Sequence, residues 1–159
     1  MKLTELINRK SILPALKGRD RKAVITELVT SLKKACPGEK IRVDEVADAV
    51  LEREVKVGST GLGGGVAIPH ARLDAVKGLV GVFGRTASPV EFKAIDGLPV
   101  DLYFLIIAPE ARQAEYAEAL RTVATAIKAK NFCKFLRAAK TAKEIEEVFR
   151  DVEETVAAN

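Results

Sequence analysis

Gly58-Ser59-Thr60-Gly61-Leu62-Gly63-Gly64-Gly65-Val66-Ala67-Ile68-Pro69-His70 is the stretch on which the reading of this chain turns. Five of the eleven glycines lie between Gly58 and Gly65, and the segment ends on the only histidine of 159 residues. Glycine admits backbone conformations that a Cβ forbids and lets the main chain come close to a ligand. Val66-Ala67-Ile68 reads as a short apolar strand, and Pro69, with no N–H, belongs at a strand end or edge. His70 is thus offered at the end of a strand beside a loop rich in backbone N–H groups. That arrangement suits a nucleophile facing an anion.

Outward from this stretch the chain reads as one α/β domain, residues 1–159, with a small mixed sheet and helices on both sides. Val100 to Ala108 is apolar except for Asp101 and is bounded by Pro99 and Pro109, the pattern of a strand covered on both faces. Leu79–Phe83 reads as a second strand, with short extended pieces at Ile12-Leu13 and Pro89–Phe92. Asp20 is placed to cap a helix bearing Val24, Leu28, Leu32 and Cys36, which Pro37-Gly38 stops. Val43, Val46, Ala47, Val50 and Leu51 follow helical spacing in the next one, which ends near Glu52-Arg53-Glu54. Pro109-Glu110 opens a long helix with Tyr116, Leu120, Val123, Ala124 and Ile127 inward. Asn131 would cap a short helix with Phe132, Phe135 and Leu136 inward. Thr141 and Glu144 form a capping box for a last helix that frays after Glu154.

Composition narrows the function. The net charge of +4 invites nucleic acid, but acids and bases interleave and there is no Trp, six Phe and two Tyr, so no basic stripe with aromatics forms. No apolar run approaches the roughly 18 residues of a membrane span, and Met1–Leu6 carries an early acid rather than a signal-like apolar core. Cys36 and Cys133 read as buried structural thiols. A cytoplasmic protein without cofactor or metal is expected.

The glycine loop is neither of two familiar phosphate binders. No Gly-Lys-Ser/Thr ending is present, and the loop follows a helix and precedes a strand, the reverse of a dinucleotide fingerprint. One histidine without neighbouring ligands makes no transition-metal site, and no Gly-x-Ser-x-Gly elbow supports a serine hydrolase. Histidine as a nucleophile in its own right remains. Imidazole near neutral pH has a free lone pair and can carry a phosphoryl group, which needs positioning and cations or N–H dipoles around its oxygens. Ser59, Thr60 and Gly61 can supply donors, and Arg53 and Arg72 charge. Taken singly, each feature has an ordinary explanation: a satisfied histidine, a surface turn, a solvated helix-end arginine. It is their convergence on one stretch that points to a site.

Gly58-Ser59-Thr60-Gly61 with Gly65-Val66-Ala67-Ile68-Pro69-His70 resembles the active-site signature of EIIA domains of the bacterial phosphoenolpyruvate-dependent phosphotransferase system, of the mannitol/fructose/nitrogen type. Arg53, the run Asp96-Gly97-Leu98-Pro99-Val100-Asp101-Leu102 and Phe132–Ala139 extend the similarity over about residues 4–150. The resemblance implies that His70 takes a phosphoryl group from an HPr-type carrier protein. The group then passes to the EIIB domain of a membrane permease in sugar-specific members. In nitrogen-type members it serves as a signal to regulatory protein targets, and the nitrogen-regulatory branch is expected here. The family's second histidine is missing. Tyr116 or Glu118 falls in its place, Tyr116 being retained as the neighbour of His70 and Arg112 as another source of charge. A regulatory binding module with weakened transfer is therefore the alternative from a different class.

Overall fold

A computed structural model describes residues 1–158. In chain order it contains α1 (Leu3–Leu6), a 3-10 turn (Arg9–Ser11), β1 (Ile12–Leu16), α2 (Arg21–Ala35), α3 (Val43–Lys56), β2 (Gly61–Gly63), β3 (Val66–Ala67) and β4 (His70–Arg72). There follow β5 (Val80–Val90), β6 (Val100–Ala108), α4 (Gln113–Lys128), α5 (Phe132–Ala138) and α6 (Ala142–Ala158). The sheet runs β1-β5-β6-β3-β2, with β4 also on β6. Pairing is parallel for β1/β5, β3/β6 and β4/β6 and antiparallel for β5/β6 and β2/β3.

β6 is apolar on both faces because both are covered. Tyr103, Leu105 and Ile107 pack with Leu28 and Leu32 of α2 and Val50 of α3. Leu102, Phe104 and Ile106 point the other way, onto Val123 of α4, Leu136 of α5 and Phe149 of α6. This period of two is what a strand between helical layers requires. Asp20 caps α2 as expected, its carboxylate accepting the Ala23 N–H at 2.8 Å.

Several local expectations are corrected. Pro14 lies inside β1, where it is tolerated because β1 is an outer strand and its register slips between Leu13 and Leu16. The two extended pieces around Phe83 and Pro89 form one strand, β5, whose register slips between Arg85 and Val90. α4 begins at Gln113 after a turn closed by Arg112 N–H on the Pro109 carbonyl. Phe135 is 52% exposed, since the inward stripe of α5 holds Phe132 and Leu136, four apart. Asn131 caps nothing with its side chain and sits at φ 64°. Thr141 does accept the Glu144 N–H, while the Glu144 carboxylate reaches Lys140 N–H. α6 continues to Ala158, past the expected fraying point, and Asn159 lies outside the described residues. Cys36 and Cys133 are free and half-buried rather than buried.

β3 and β4 place the site. Val66 and Ala67 pair with Leu102 and Tyr103, and His70 to Arg72 pair with Ile106 to Ala108, in one continuous register along β6. Ile68-Pro69 interrupts the ladder because Pro69 has no N–H to give, although its carbonyl accepts Ile106 N–H at 3.0 Å. His70 therefore begins a short strand of its own, which periodicity could not reveal in a three-residue His-Ala-Arg segment.

Candidate active site

Among the described residues β4 pairs only with β6, so its other edge is open, and residues of α3 and α4 meet there around His70. A cleft of about 750 Å³ is lined by Ala49 and Arg53 of α3, His70 to Arg72 of β4, Leu73, Glu110 and Tyr116 of α4. Ala49 and Arg53 are four apart and so share one helical stripe. Alternation along β4 turns Ala71 into the α2–α3 layer.

His70 is half-buried, and its Nδ1 lies 2.6 Å from the Ile68 carbonyl. A carbonyl only accepts, so Nδ1 carries the proton and Nε2 keeps the lone pair. Burial pushes the imidazole below its ordinary pKa, the Ile68 carbonyl works against this, and the Arg53 guanidinium adds to the lowering. The ring is accordingly neutral at neutral pH. Tyr116 stands beside it, ring centroids 5.6 Å apart at 56°. The Arg72 guanidinium lies 5.9 Å from the Tyr116 ring centroid on its other contact, a cation–π distance. Burial raises the Tyr116 phenol, against the lowering influence of Arg53 and Arg72.

Arg53 carries the most telling feature. Its Nη1 is buried and, among the described residues, without a hydrogen-bond partner. A buried guanidinium donor left open beside a neutral imidazole can take an anion, because such an unmade bond is costly.

The glycine loop is arranged differently from the expected cradle. Ser59, Thr60 and Gly61 do not line the cleft. The Ser59 hydroxyl donates to the Phe92 carbonyl at 2.6 Å and accepts Gly61 N–H. Thr60 is buried against Glu54, its N–H on Oε2 at 2.9 Å and its hydroxyl on Oε1. Their donors are already taken, by the Phe92 carbonyl, the Glu54 carboxylate and the Ser59 hydroxyl oxygen, and none of the three residues walls the cleft. Arg112 is likewise absent from the lining and pairs with Glu115, and Glu118 holds the N-terminal amine instead.

Gly65 shows why the loop needs glycine. Its φ is +80°, and a Cβ would lie 2.6 Å from Arg137 Nη2 and 2.8 Å from Asp101 Oδ1. Arg137 there binds both Asp101 oxygens and the Gly64 carbonyl. Gly65→Ala is expected to lower stability by about 2 kcal/mol, from left-handed strain plus displacement of this ion pair. A urea denaturation midpoint checks it; an unchanged midpoint would mean that the turn relaxes freely.

Glu54, only 2% exposed, escaped notice in the sequence because Glu52-Arg53-Glu54 reads as a solvated helix end. The signal was present: Glu54 continues the stripe of Val46 and Val50 at intervals of four. Ala49, Leu73 and Glu110 had no comparable mark.

Residues 5–152 match the family described as phosphoenolpyruvate-dependent sugar phosphotransferase system, EIIA 2. The chain belongs to that EIIA family. It is 38% identical over 145 residues to a nitrogen regulatory protein of Bradyrhizobium diazoefficiens, covering 91% of this chain and 92% of that one. The crystal structure of nitrogen regulatory protein IIA-Ntr from Neisseria meningitidis superposes with a TM-score of 0.83 at 33% identity, covering 92% and 98%. A fructose-specific EIIABC component of Bacillus subtilis is 37% identical over 125 residues, which are 79% of this EIIA chain and 19% of that protein. The expected α/β EIIA fold is thereby established, and the family's members are phosphotransferase-type phosphocarriers. No helix among the described residues is long and apolar enough to cross a membrane.

Proposed function

We propose that this EIIA chain accepts a phosphoryl group on His70 Nε2 from an HPr-type phosphocarrier and works in the nitrogen-regulatory branch, its phosphorylation state read by regulatory protein targets. The observation that carries the reading is the pairing of His70 with Arg53: a neutral ring whose Nδ1–H is held by Ile68, beside a buried guanidinium nitrogen with nothing bound to it. In the transfer the P–N bond of the carrier's phosphohistidine breaks as the P–Nε2 bond forms. The carrier's ring leaves with the electron pair, and His70 keeps its Nδ1 proton. The ring then gains positive character, which strengthens the Nδ1–H bond to the Ile68 carbonyl. Arg53 and Arg72 are the groups for the phosphoryl oxygens, and the Tyr116 phenol, where the family usually has its second histidine, is a neutral donor. Ser59, Thr60 and Gly61, expected as phosphate donors, act here through loop geometry.

The names of the nitrogen regulatory relatives support the branch. The fructose-specific relative supports a second reading, in which the group passes on to the EIIB domain of a permease.

The chain is incubated with phosphoenolpyruvate, the general phosphotransferase enzyme and the carrier, and followed by phosphorus NMR. One acid-labile phosphohistidine signal of the Nε2-linked type is expected. No label on the folded chain would reject the reading in favour of a binding module that has lost transfer. Chasing with a fructose-type EIIB domain decides the branch: label that stays supports the nitrogen-regulatory reading, and label that leaves supports the sugar-specific one.

A further inference from the structure

The geometry points to Glu54 as a positioning residue for this transfer, its carboxyl group joining the helix turn that bears Arg53 to the backbone that holds the imidazole of His70. The inference rests on the phosphoryl-transfer reading above and adds a residue that never touches the phosphoryl group.

Four contacts make the connection. Glu54 Oε2 accepts Thr60 N–H at 2.9 Å, and Oε1 accepts the Thr60 hydroxyl. The Thr60 carbonyl accepts Ile68 N–H at 3.1 Å. The Ile68 carbonyl accepts His70 Nδ1–H at 2.6 Å. One end of this chain of bonds fixes the ring's tautomer and direction. The other end is the residue after Arg53.

The end of α3 needs such a hold. Val55 and Val57 are 65% and 71% exposed, and Glu54 is the one fully buried residue from Leu51 to Ser59 among the described residues. A helix end so exposed frays unless something anchors it. An apolar side chain at 54 would anchor by packing at lower desolvation cost, but it would leave the buried Thr60 N–H and hydroxyl unpaired. An acid at this place is explained by the need to grip Thr60 while seating Arg53. Arg53 itself has no partner at Nη1 to keep it in the cleft, so its aim depends on the turn beneath it.

The sole histidine gives a readout separate from activity, since one imidazole resonance reports on the site. The charged and titratable groups facing that ring are Arg53, Arg72, Glu110 and Tyr116. In Glu54→Ala, transfer from phosphorylated carrier is expected to slow about tenfold at an unchanged half-saturating carrier concentration, because misaligned groups cost rate while the docking face stays intact. The His70 titration midpoint should rise toward the ordinary imidazole value as water enters and Arg53 swings away. Thr60→Val should move both readouts the same way and by less. Glu54→Gln, which keeps an oxygen for Thr60 N–H, should restore most of the rate, and Glu52→Gln on the exposed side of the same turn should change neither.

A folded Glu54→Ala protein with wild-type rate and wild-type titration would overturn the proposal, leaving Glu54 a purely structural clamp. If Glu54→Ala does not fold, Thr60→Val and Glu54→Gln make the same comparison. Should the wild-type chain fail to take phosphate, the functional reading falls, and the titration alone still decides whether Glu54 governs the surroundings of His70.

Discussion

His70→Ala is expected to abolish phosphoryl acceptance, a loss of 10³-fold or more (on the order of 4 kcal/mol in barrier height, or beyond) with the fold intact. No other group can substitute. The remaining side chains of the cleft are Ala49, Arg53, Ala71, Arg72, Leu73, Glu110 and Tyr116; the two arginines stay protonated with no free lone pair, and the other five have no nitrogen to form a P–N bond. Folding should hardly notice. The ring is half-buried at an open sheet edge, and its one bond to the protein is to the Ile68 carbonyl, a contribution of about 1 kcal/mol. His70→Gln sharpens the test: its side-chain amide can still donate to Ile68 but offers no ring lone pair, so it should be more stable than the alanine variant and equally inactive. Acid-labile label and thermal midpoint, read on the same preparations, check both claims. Label persisting on the alanine variant would place the phosphoryl group elsewhere.

How much of this could be read from residues alone depends on whether the deciding partner is near in sequence. The central strand was plain, because Val100–Ala108 carries its apolar run without help from elsewhere and prolines bound it. The proximity of Arg53 to the glycine stretch was also legible, since only the helix end separates them. What could not be read is where the loop's donors point. Ser59 finds the Phe92 carbonyl, 33 residues on, and Thr60 finds a glutamate that a linear reading leaves in water. Those choices are made by tertiary packing of α3 against the sheet. The same holds for Tyr116, whose ring reaches both His70 and Arg72 only once α4 is packed on the sheet. A motif thus singled out His70, while its environment was set by contacts that motif spacing does not encode.

Arg53→Ala is expected to slow phosphoryl acceptance about 10²-fold, roughly 3 kcal/mol, comparable to removing one preorganised donor from a site of developing charge. The buried, unpartnered Nη1 is the reason: it faces no competing acceptor, so its bond to a phosphoryl oxygen forms without breaking another. Arg53→Lys should recover only part of the rate, because an ammonium keeps the charge but not the planar fork. The pH profile gives an independent check. The imidazole titrates below its ordinary 6.5, first through burial and then through repulsion by Arg53, so acceptance in the wild-type chain should persist below 6.5 and fall only as the pH passes the depressed value. Without Arg53 the repulsion is gone while burial remains, so the midpoint should rise without reaching 6.5, and activity should fail earlier on acidification. Stability moves in the same sense. With the folded value below the unfolded one, the unfolded chain takes the proton first, and the stability associated with neutral His70 is intact above about 6.5 and lost as the pH falls through the folded value. That window should narrow in Arg53→Ala. An unchanged rate together with an unchanged His70 titration would put Arg53 outside the phosphoryl site and leave Arg72 as its cation.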